Sequence, residues 1–322
     1  MEYRLRLIII GVAFFCLSLA ALAPASYTRV TLYLDGVEVN DVNYGDVLSG
    51  GSGVEPITIG SVGNANKDYF YNEYIGAMDE FAIYKGLLSL GRIQAHYDAN
   101  SSNSAYKAAV QADNPLLWLR FEDETVGDGD VAENSGLSIT DGEYNVQGSV
   151  SPFAQVPGIN ADSNAIDFPD SGADAAGRAI YVDDNGEFST GIDGILTVEF
   201  WAKYVLGGED NPDGADWARF YINKKAGYGL FKGEVANNLN ILPGTLGIDL
   251  PYDVNDDAWH HFVITYKSVP EPRIPKDTNS YFQEVNENSP VLWLRFEDED
   301  PCDYSGNNNW VGYGSAATIV SG

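Results

Sequence analysis

General acid–base chemistry on a glycosidic bond needs two carboxyl groups about 5 to 9 Å apart, a separation that alternate residues on one strand face supply. Asp79 and Glu80 are adjacent, so a regular strand sends them to opposite faces. Glu297, Asp298, Glu299 and Asp300 directly follow an apolar run and read as a solvated turn. His260 and His261 are neighbours in a strand-like stretch, which predicts one packed and one exposed imidazole and no convergence on a metal. No serine or cysteine nucleophile stands beside a base, and no glycine-rich loop follows a strand to cradle phosphate. The residue types therefore predict a protein that is not an enzyme.

Binding chemistry has better material. Calcium takes several oxygen ligands from loops, and the 60–68 loop offers Asn64, Asn66 and Asp68 ahead of a strand carrying Asp79. A second set is Asp170, Asp174, Asp183 and Asp184. Turn chemistry also accounts for Asn and Asp in both loops without a metal, and calcium is the one cofactor that the loops suggest. Tyr69, Phe70, Tyr71 and Tyr74 cluster beside Asn64, Asn66 and Asn72, the mixture that stacks on a sugar and hydrogen-bonds to it. The same tyrosines serve equally as cross-strand pairs.

Strands must position these groups. The chain has 34 Gly, 20 Tyr and 14 Phe but only 2 Met, with short apolar runs between Gly, Asn and Asp clusters, the composition of many strands joined by turns. Val30, Leu32 and Leu34 alternate with Thr31, Tyr33 and Asp35. Leu196, Val198, Phe200 and Ala202 alternate with Thr197, Glu199, Trp201 and Lys203, and Phe262, Ile264 and Tyr266 with His261, Val263 and Thr265. A period of two with one more apolar face predicts a two-sheet sandwich. Hairpin signals stand at Asp35-Gly36, Asn185-Gly186 and Asp193-Gly194. One short helix is predicted, with Ser89 as N-cap and Leu90, Ile93 and Tyr97 on one face.

The chain also repeats itself. Residues 114–123, NPLLWLRFED, recur as SPVLWLRFED at 289–298, an offset of 175 residues that also aligns Tyr106 with Tyr281 and Val110 with Val285. Such a period marks a tandem array. Arg4 and Arg6 precede an apolar run at 7–22 that ends in Ala23-Pro24-Ala25, the pattern of a secretory signal peptide cut before Ser26. An uncleaved anchor is the alternative, although the run is shorter than the roughly 20 residues that span a bilayer. Beyond it only Cys302 remains, so no intrachain disulfide is expected. The net charge of −29 becomes −30 once Glu2, Arg4 and Arg6 leave, which disfavours nucleic acid and anionic lipid as partners.

The run Ile57-Thr58-Ile59-Gly60, then Tyr74-Ile75-Gly76-Ala77-Met78-Asp79-Glu80-Phe81-Ala82-Ile83-Tyr84 and Ile93-Gln94-Ala95-His96-Tyr97, resembles the closing half of a laminin-G-like, concanavalin A-like jelly roll. Ala165-Ile166-Asp167-Phe168, Leu196-Thr197-Val198-Glu199-Phe200-Trp201 and Ala258-Trp259-His260-His261-Phe262-Val263-Ile264-Thr265-Tyr266 resemble its opening half. Leu32-Tyr33-Leu34-Asp35-Gly36-Val37 resembles the strand that follows the Trp-His-His strand across a hairpin. In the family the opening half precedes the closing half, and here the order is reversed. The resemblance thus implies an all-β jelly roll with its halves permuted: a signal peptide at 1–25, closing half at 26–99, linker at 100–112, opening half at 113–268, proline-containing linker at 269–288 and an incomplete further repeat at 289–322. The halves close on each other, or belong to domains completed by other molecules, or come from a truncated array.

The family includes glucanases, but their Glu-x-Asp-x-x-Glu pattern is absent. Pentraxin relatives carry calcium ligands in a loop placed like 60–68, though with a run of acids that this loop lacks. The resemblance implies a secreted or cell-surface, non-catalytic module for adhesion or for binding an extracellular glycan or surface protein, with no membrane insertion after signal cleavage. Ligand contacts are expected at Tyr69, Phe70, Tyr71, Asn72 and Tyr74, and calcium ligands at Asn64, Asn66, Asp68 and Asp79. A structural spacer of the cell surface and a fragment of a glycan-active enzyme are the alternatives. The second copy of the repeated strand, at 291–297, is a candidate for strand exchange.

Overall fold

In order along the chain, the strands are β1 (Ser26–Leu34), β2 (Val37–Tyr44), β3 (Ile57–Ile59), β4 (Val62–Gly63), β5 (Phe70–Tyr71) and β6 (Gly76–Tyr84). Helices α1 (Leu90–Asp98) and α2 (Asn103–Ala112) follow. After them come β7 (Leu117–Leu119), β8 (Val131–Ala132), β9 (Gly142–Val146), β10 (Ala154–Pro157), β11 (Asn164–Phe168) and β12 (Arg178–Val182). The last are β13 (Ile195–Tyr204), β14 (Arg219–Lys224), β15 (Gly229–Lys232), β16 (Asn238–Leu242), β17 (Leu246–Asp249) and β18 (His260–Pro270). The structure is a computed structural model, which describes residues 26–44, 55–63, 67, 70–148, 150–169, 177–184, 186–188, 194–204, 219–224, 227–232, 238–242, 246–254 and 256–270. The expected signal peptide and further repeat lie outside these residues. Among the described residues no helix is long and apolar enough to cross a membrane.

Two eight-stranded antiparallel sheets face each other. The first runs β10-β11-β6-β13-β18-β1-β2, with β7 also beside β6, and the second runs β17-β16-β15-β14-β3-β12-β9-β8. Strands from the two segments alternate within both: β3 lies between β14 and β12, β6 between β11 and β13, and β1 beside β18. The alternation seen in the sequence sets the facing. Val30, Leu32, Leu196, Val198, Phe200, Ala202, Phe262, Ile264 and Tyr266 join Ile59, Ile180 and Ile222 of the other sheet in one core. Phe200 stacks on Phe262 at 5.3 Å and on Phe81 at 6.1 Å between ring centroids. The β1–β2 turn at Asp35-Gly36 has φ of 50° and 77°, the left-handed pair that a two-residue hairpin of type I′ needs.

Sequence reasoning missed what lies on the other side of the first sheet. Ser89 caps α1 as expected, its side chain accepting from the Arg92 amide. Residues 100–112, expected as a linker, instead form a turn and α2, whose N-cap Ser102 accepts from Ala105 N. Both helices pack on the outer sheet face through Ile93, Tyr106 and Val110, against Ala82, Tyr84, Trp118, Trp201 and Val263. The more polar face of β13 is therefore buried too, with Thr197 and Glu199 at 0% exposure.

A bulge corrects a second expectation. Met78 and Phe81 both enter the main core although they are three positions apart, which strict alternation forbids. Trp201 faces Asp79 while Glu199 faces Ala82, and the register slips between them. Glu80 takes φ of 52°, so the extra residue turns Asp79 and Glu80 to the same outer face.

A candidate site: the helix-covered acidic face

Glu199 sits mid-strand on β13, opposite Val263 of β18 and Ala82 of β6. Its Oε1 accepts from His261 Nε2 at 2.8 Å and Tyr106 OH at 3.2 Å, and its Oε2 accepts from Tyr84 OH at 2.6 Å. His96 of α1 presents Nδ1 to both carboxylate oxygens at 3.0 Å. The His96 Nε2 faces Asp113 Oδ2 at 2.7 Å and the Ala109 carbonyl at 3.2 Å. With acceptors at both nitrogens, His96 is held as the cation. Burial opposes that charge, but the Glu199 charge and the hydrogen bonds to Glu199 and Asp113 outweigh it and raise the imidazole. Burial likewise opposes ionisation of Glu199, and the charge of His96 with the bonds from His261 and His96 overrides it, holding the carboxyl well below its usual range. Asp113 caps the C-terminus of α2, where a negative charge is unfavourable to the helix dipole. Arg92 offsets it through Nε, 2.8 Å from Asp113 Oδ2, and donates to the Ala109 carbonyl at 2.9 Å.

Beside this group lies the bulge. Glu80 accepts from Trp118 Nε1 at 2.6 Å and from Arg120 at 3.2 Å, and Asp79 Oδ2 accepts from Ile159 N at 3.0 Å. Asp79 Oδ1 has no hydrogen-bond partner among the described residues. Burial and then the neighbouring Glu80 push Asp79 well above the carboxylate range. Burial also raises Glu80, against the charge and hydrogen bond of Arg120. Because Asp79 folds in its protonated form while the unfolded side chain ionises above its ordinary 3.8, it costs stability as pH rises. Asp79→Asn keeps the acceptor for Ile159 N and removes that cost. The variant is expected to gain more than about 1.4 kcal/mol at pH 8, one pKa unit's worth, and little at pH 4, in paired urea titrations.

Other titratable groups are similarly engaged. Both His260 and His261 are buried, which corrects the expectation of one exposed imidazole. His261 turns to Glu199, whereas His260 Nδ1 meets Asp35 Oδ2 at 2.8 Å and its Nε2 meets Asp256 Oδ1 at 3.0 Å. Tyr252 OH and His261 N also donate to Asp35, at 2.6 and 2.8 Å, which pins the β1–β2 turn to the start of β18. Asp184 of the second calcium set has a cation already, Lys224 Nζ at 2.6 Å, and its Oδ1 accepts from the amides of Gly186 and Phe188.

The structure divides the expected ligand set. Tyr74 is wholly buried, its OH donating to the Ala77 carbonyl at 3.0 Å and its ring 4.9 Å from Tyr221, so it is a core residue and not a ligand contact. Asn72 is partly exposed at φ of 57°, and its carbonyl accepts from Phe220 N. Phe70 and Tyr71 form β5. Asn64, Asn66, Asp68 and Tyr69 lie outside the described residues. Asp79, the fourth member of the expected calcium set, is buried beside Glu80. Among the described residues no group of three or more His, Cys, Asp and Glu side chains is arranged to hold a metal.

The arrangement can hold charge and protons in the interior and fix two helices to a sheet. The class defined by the structure is a mostly β protein of two antiparallel sheets with a helix-covered outer face. Comparison with protein-family models, with curated proteins and with solved structures finds no match for this chain.

Proposed function

We propose that this chain is an exported, non-catalytic module of laminin-G-like type that adheres to or binds an extracellular glycan or a surface protein. The observation that carries the reading is the enclosure of Glu199, His96 and His261 beneath α1 and α2, with Asp79 and Glu80 buried beside them, at 0 to 1% exposure. Groups shielded in this way belong to the interior of the scaffold, which leaves recognition to the loops. The laminin-G-like, jelly-roll part of the proposal rests on the motifs and on β18 lying next to β1, the pairing that a permuted domain requires. Calcium belongs to the proposal through Asn64, Asn66, Asp68 and Asp79.

A glycan array followed by titration calorimetry, with 2 mM calcium or with EDTA as roughly standard conditions, tests it. Binding is expected to weaken about tenfold, 1.4 kcal/mol, in Tyr71→Ala and Asn72→Ala, while Tyr74→Phe leaves affinity unchanged. No binding of glycan or extracellular matrix protein under either condition would sink the binding reading. The second reading, a structural spacer of the cell surface, is favoured by the burial of Tyr74, which takes one aromatic from the loop cluster.

A further inference from the structure

The folded chain shows what the repeated strand is for. Eight of the ten residues at 114–123 recur at 289–298, and the shared ones make a complete set of contacts. Leu117, Leu119 and Phe121 fill the main core. Trp118 and Arg120 both reach the Glu80 carboxylate, Arg120 also donates to Asn103 Oδ1 at 2.5 Å, and its guanidinium lies 5.1 Å over the Trp118 ring. Glu122 accepts from Asn164 Nδ2 at 3.1 Å, and Asp123 from Tyr144 OH at 2.7 Å and Glu133 N at 3.0 Å. Of the two positions that differ, Leu116 packs its half-buried side chain against the main core and donates its amide to the Ile83 carbonyl at 2.7 Å; Val291 can make the same backbone bond with a smaller apolar side chain. Residues 292–298 thus carry the same side chains as 117–123, with Val291 in place of Leu116.

The site is short. β7 pairs with β6 over three residues, and on its other side residues 134–138 hold it through the Leu119–Asn134 bridge, the bond from Trp118 N to Asn134 Oδ1 and the bonds from Ser135 N to Trp118 O and Ser138 N to Leu116 O. The receiving sequence, Asp79-Glu80-Phe81, occurs once in the chain, while the strand that fits it occurs twice.

We propose that residues 289–298 are a second occupant of the β7 site, taken up by another copy of this chain, so that copies associate head to tail. The 271–288 stretch can extend about 60 Å, enough to reach a neighbour. Matching side chains make the exchange close to neutral, so the resident strand's tether, worth about millimolar effective concentration, sets the protein concentration at which exchange appears. The contact joins a donor strand to an acceptor site, so it closes as a reciprocal pair or ring where the rotation between copies permits and extends as an open chain where it does not.

Single-cysteine full-length chains in a Cys16→Ser/Cys302→Ser background test this under glutathione redox buffer. Asn164→Cys in one chain faces the place that Glu297→Cys of the other would occupy. A disulfide-linked heterodimer is expected on mixing, growing with concentration and lost in Trp293→Ala. Adding Trp118→Ala and Trp293→Ala to the Asn164→Cys chain vacates its site and should lower the concentration needed by about 100-fold or more, the ratio equivalent to a buried Trp→Ala loss. Should that chain fail to fold, the Asn164→Cys chain with its own strand intact still gives the concentration-dependent adduct. A yield no higher than from Ser315→Cys, or a cross-link only within one chain when both cysteines share it, would overturn the proposal.

Discussion

Glu199→Ala is expected to lower the unfolding free energy by about 3–5 kcal/mol near pH 6, because it leaves a buried cation without its partner. It also leaves the donors of His261, Tyr84 and Tyr106 without the acceptor they share, each such orphan costing about 1–3 kcal/mol when nothing replaces it. Glu199→Gln should recover only a small part of this, since an amide nitrogen would point another donor at groups that already donate. The pH dependence separates the ion pair from mere packing. Glu199 is depressed below its ordinary 4.5, burial being overridden by His96 and His261, so its contribution is present above 4.5 and lost as pH falls through the folded value. His96 is raised above 6.5, burial being outweighed by Glu199 and Asp113, so its contribution is complete below 6.5 and is lost as pH rises through the folded value. The joint contribution of Glu199 and His96 is therefore greatest between about 4.5 and 6.5. Asp79 and Glu80, both raised chiefly by burial, add a decline that begins at their ordinary 3.8 and 4.5 and draws the overall maximum toward the acid end of that window. His260 adds to the decline on the alkaline side, its hydrogen bonds to Asp35 and Asp256 outweighing burial. In Glu199→Ala the acid limb flattens, while the alkaline limb keeps the share that belongs to Asp79, Glu80 and His260. A variant with wild-type limbs and an unchanged midpoint would show that Glu199 carries no charge in the fold.

The sheets were legible because alternation is a local signal. In β13 and β18 every second residue enters the core, and a reader of the sequence needs only the period of two. The Ser89 cap and the Asp35-Gly36 turn were legible for the same reason. What was not legible depends on elements far apart in sequence. Thr197, Glu199 and His261 read as a solvated face until α1 and α2 are laid over them, and nothing in β13 announces that cover. The helix at α2 did leave a trace: Tyr106 and Val110 are four residues apart, the spacing of one helical stripe, and both recur in the repeat. Two apolar positions among alanines and polar residues were too little to separate a helix from a linker. The bulge at Glu80 was hidden because a positive φ at a glutamate is an energetic exception, imposed by register with β13. Both histidines are buried for a similar reason: Asp35, 225 positions from His260, closes over it from the hairpin turn. Tyr74 was open to two readings, a ligand contact or a packed tyrosine, and its neighbours Phe168, Tyr204 and Tyr221 come from strands that only the fold brings together.

Lys224 supplies the sharpest contrast between breaking a buried pair and replacing it. Its Nζ lies 2.6 Å from Asp184 Oδ2, the two side chains being 1% and 0% exposed, and it also donates to the Glu55 carbonyl. Lys224→Ala leaves the Asp184 charge enclosed without its cation and should cost about 3–5 kcal/mol. The double variant Lys224→Met/Asp184→Asn removes both charges, keeps the aliphatic volume of the lysine stem, and retains an amide oxygen for the Gly186 and Phe188 amides. It should return to within about 1–2 kcal/mol of wild type, because a neutral, well-packed replacement for a buried ion pair is often no worse than the pair. Asp184 is depressed below its ordinary 3.8, burial being overcome by Lys224 and the two backbone amides. Its share of stability is therefore present above 3.8 and disappears as pH falls through the folded value, and only in chains that keep both partners. The same pair of variants distinguishes a structural carboxylate from a metal ligand. If Asp184 serves the fold, Lys224→Ala is no better stabilised by calcium than wild type in thermal melts. A rescue of Lys224→Ala by millimolar calcium, absent from the double variant, would instead mean that the ammonium occupies a place where a cation can bind.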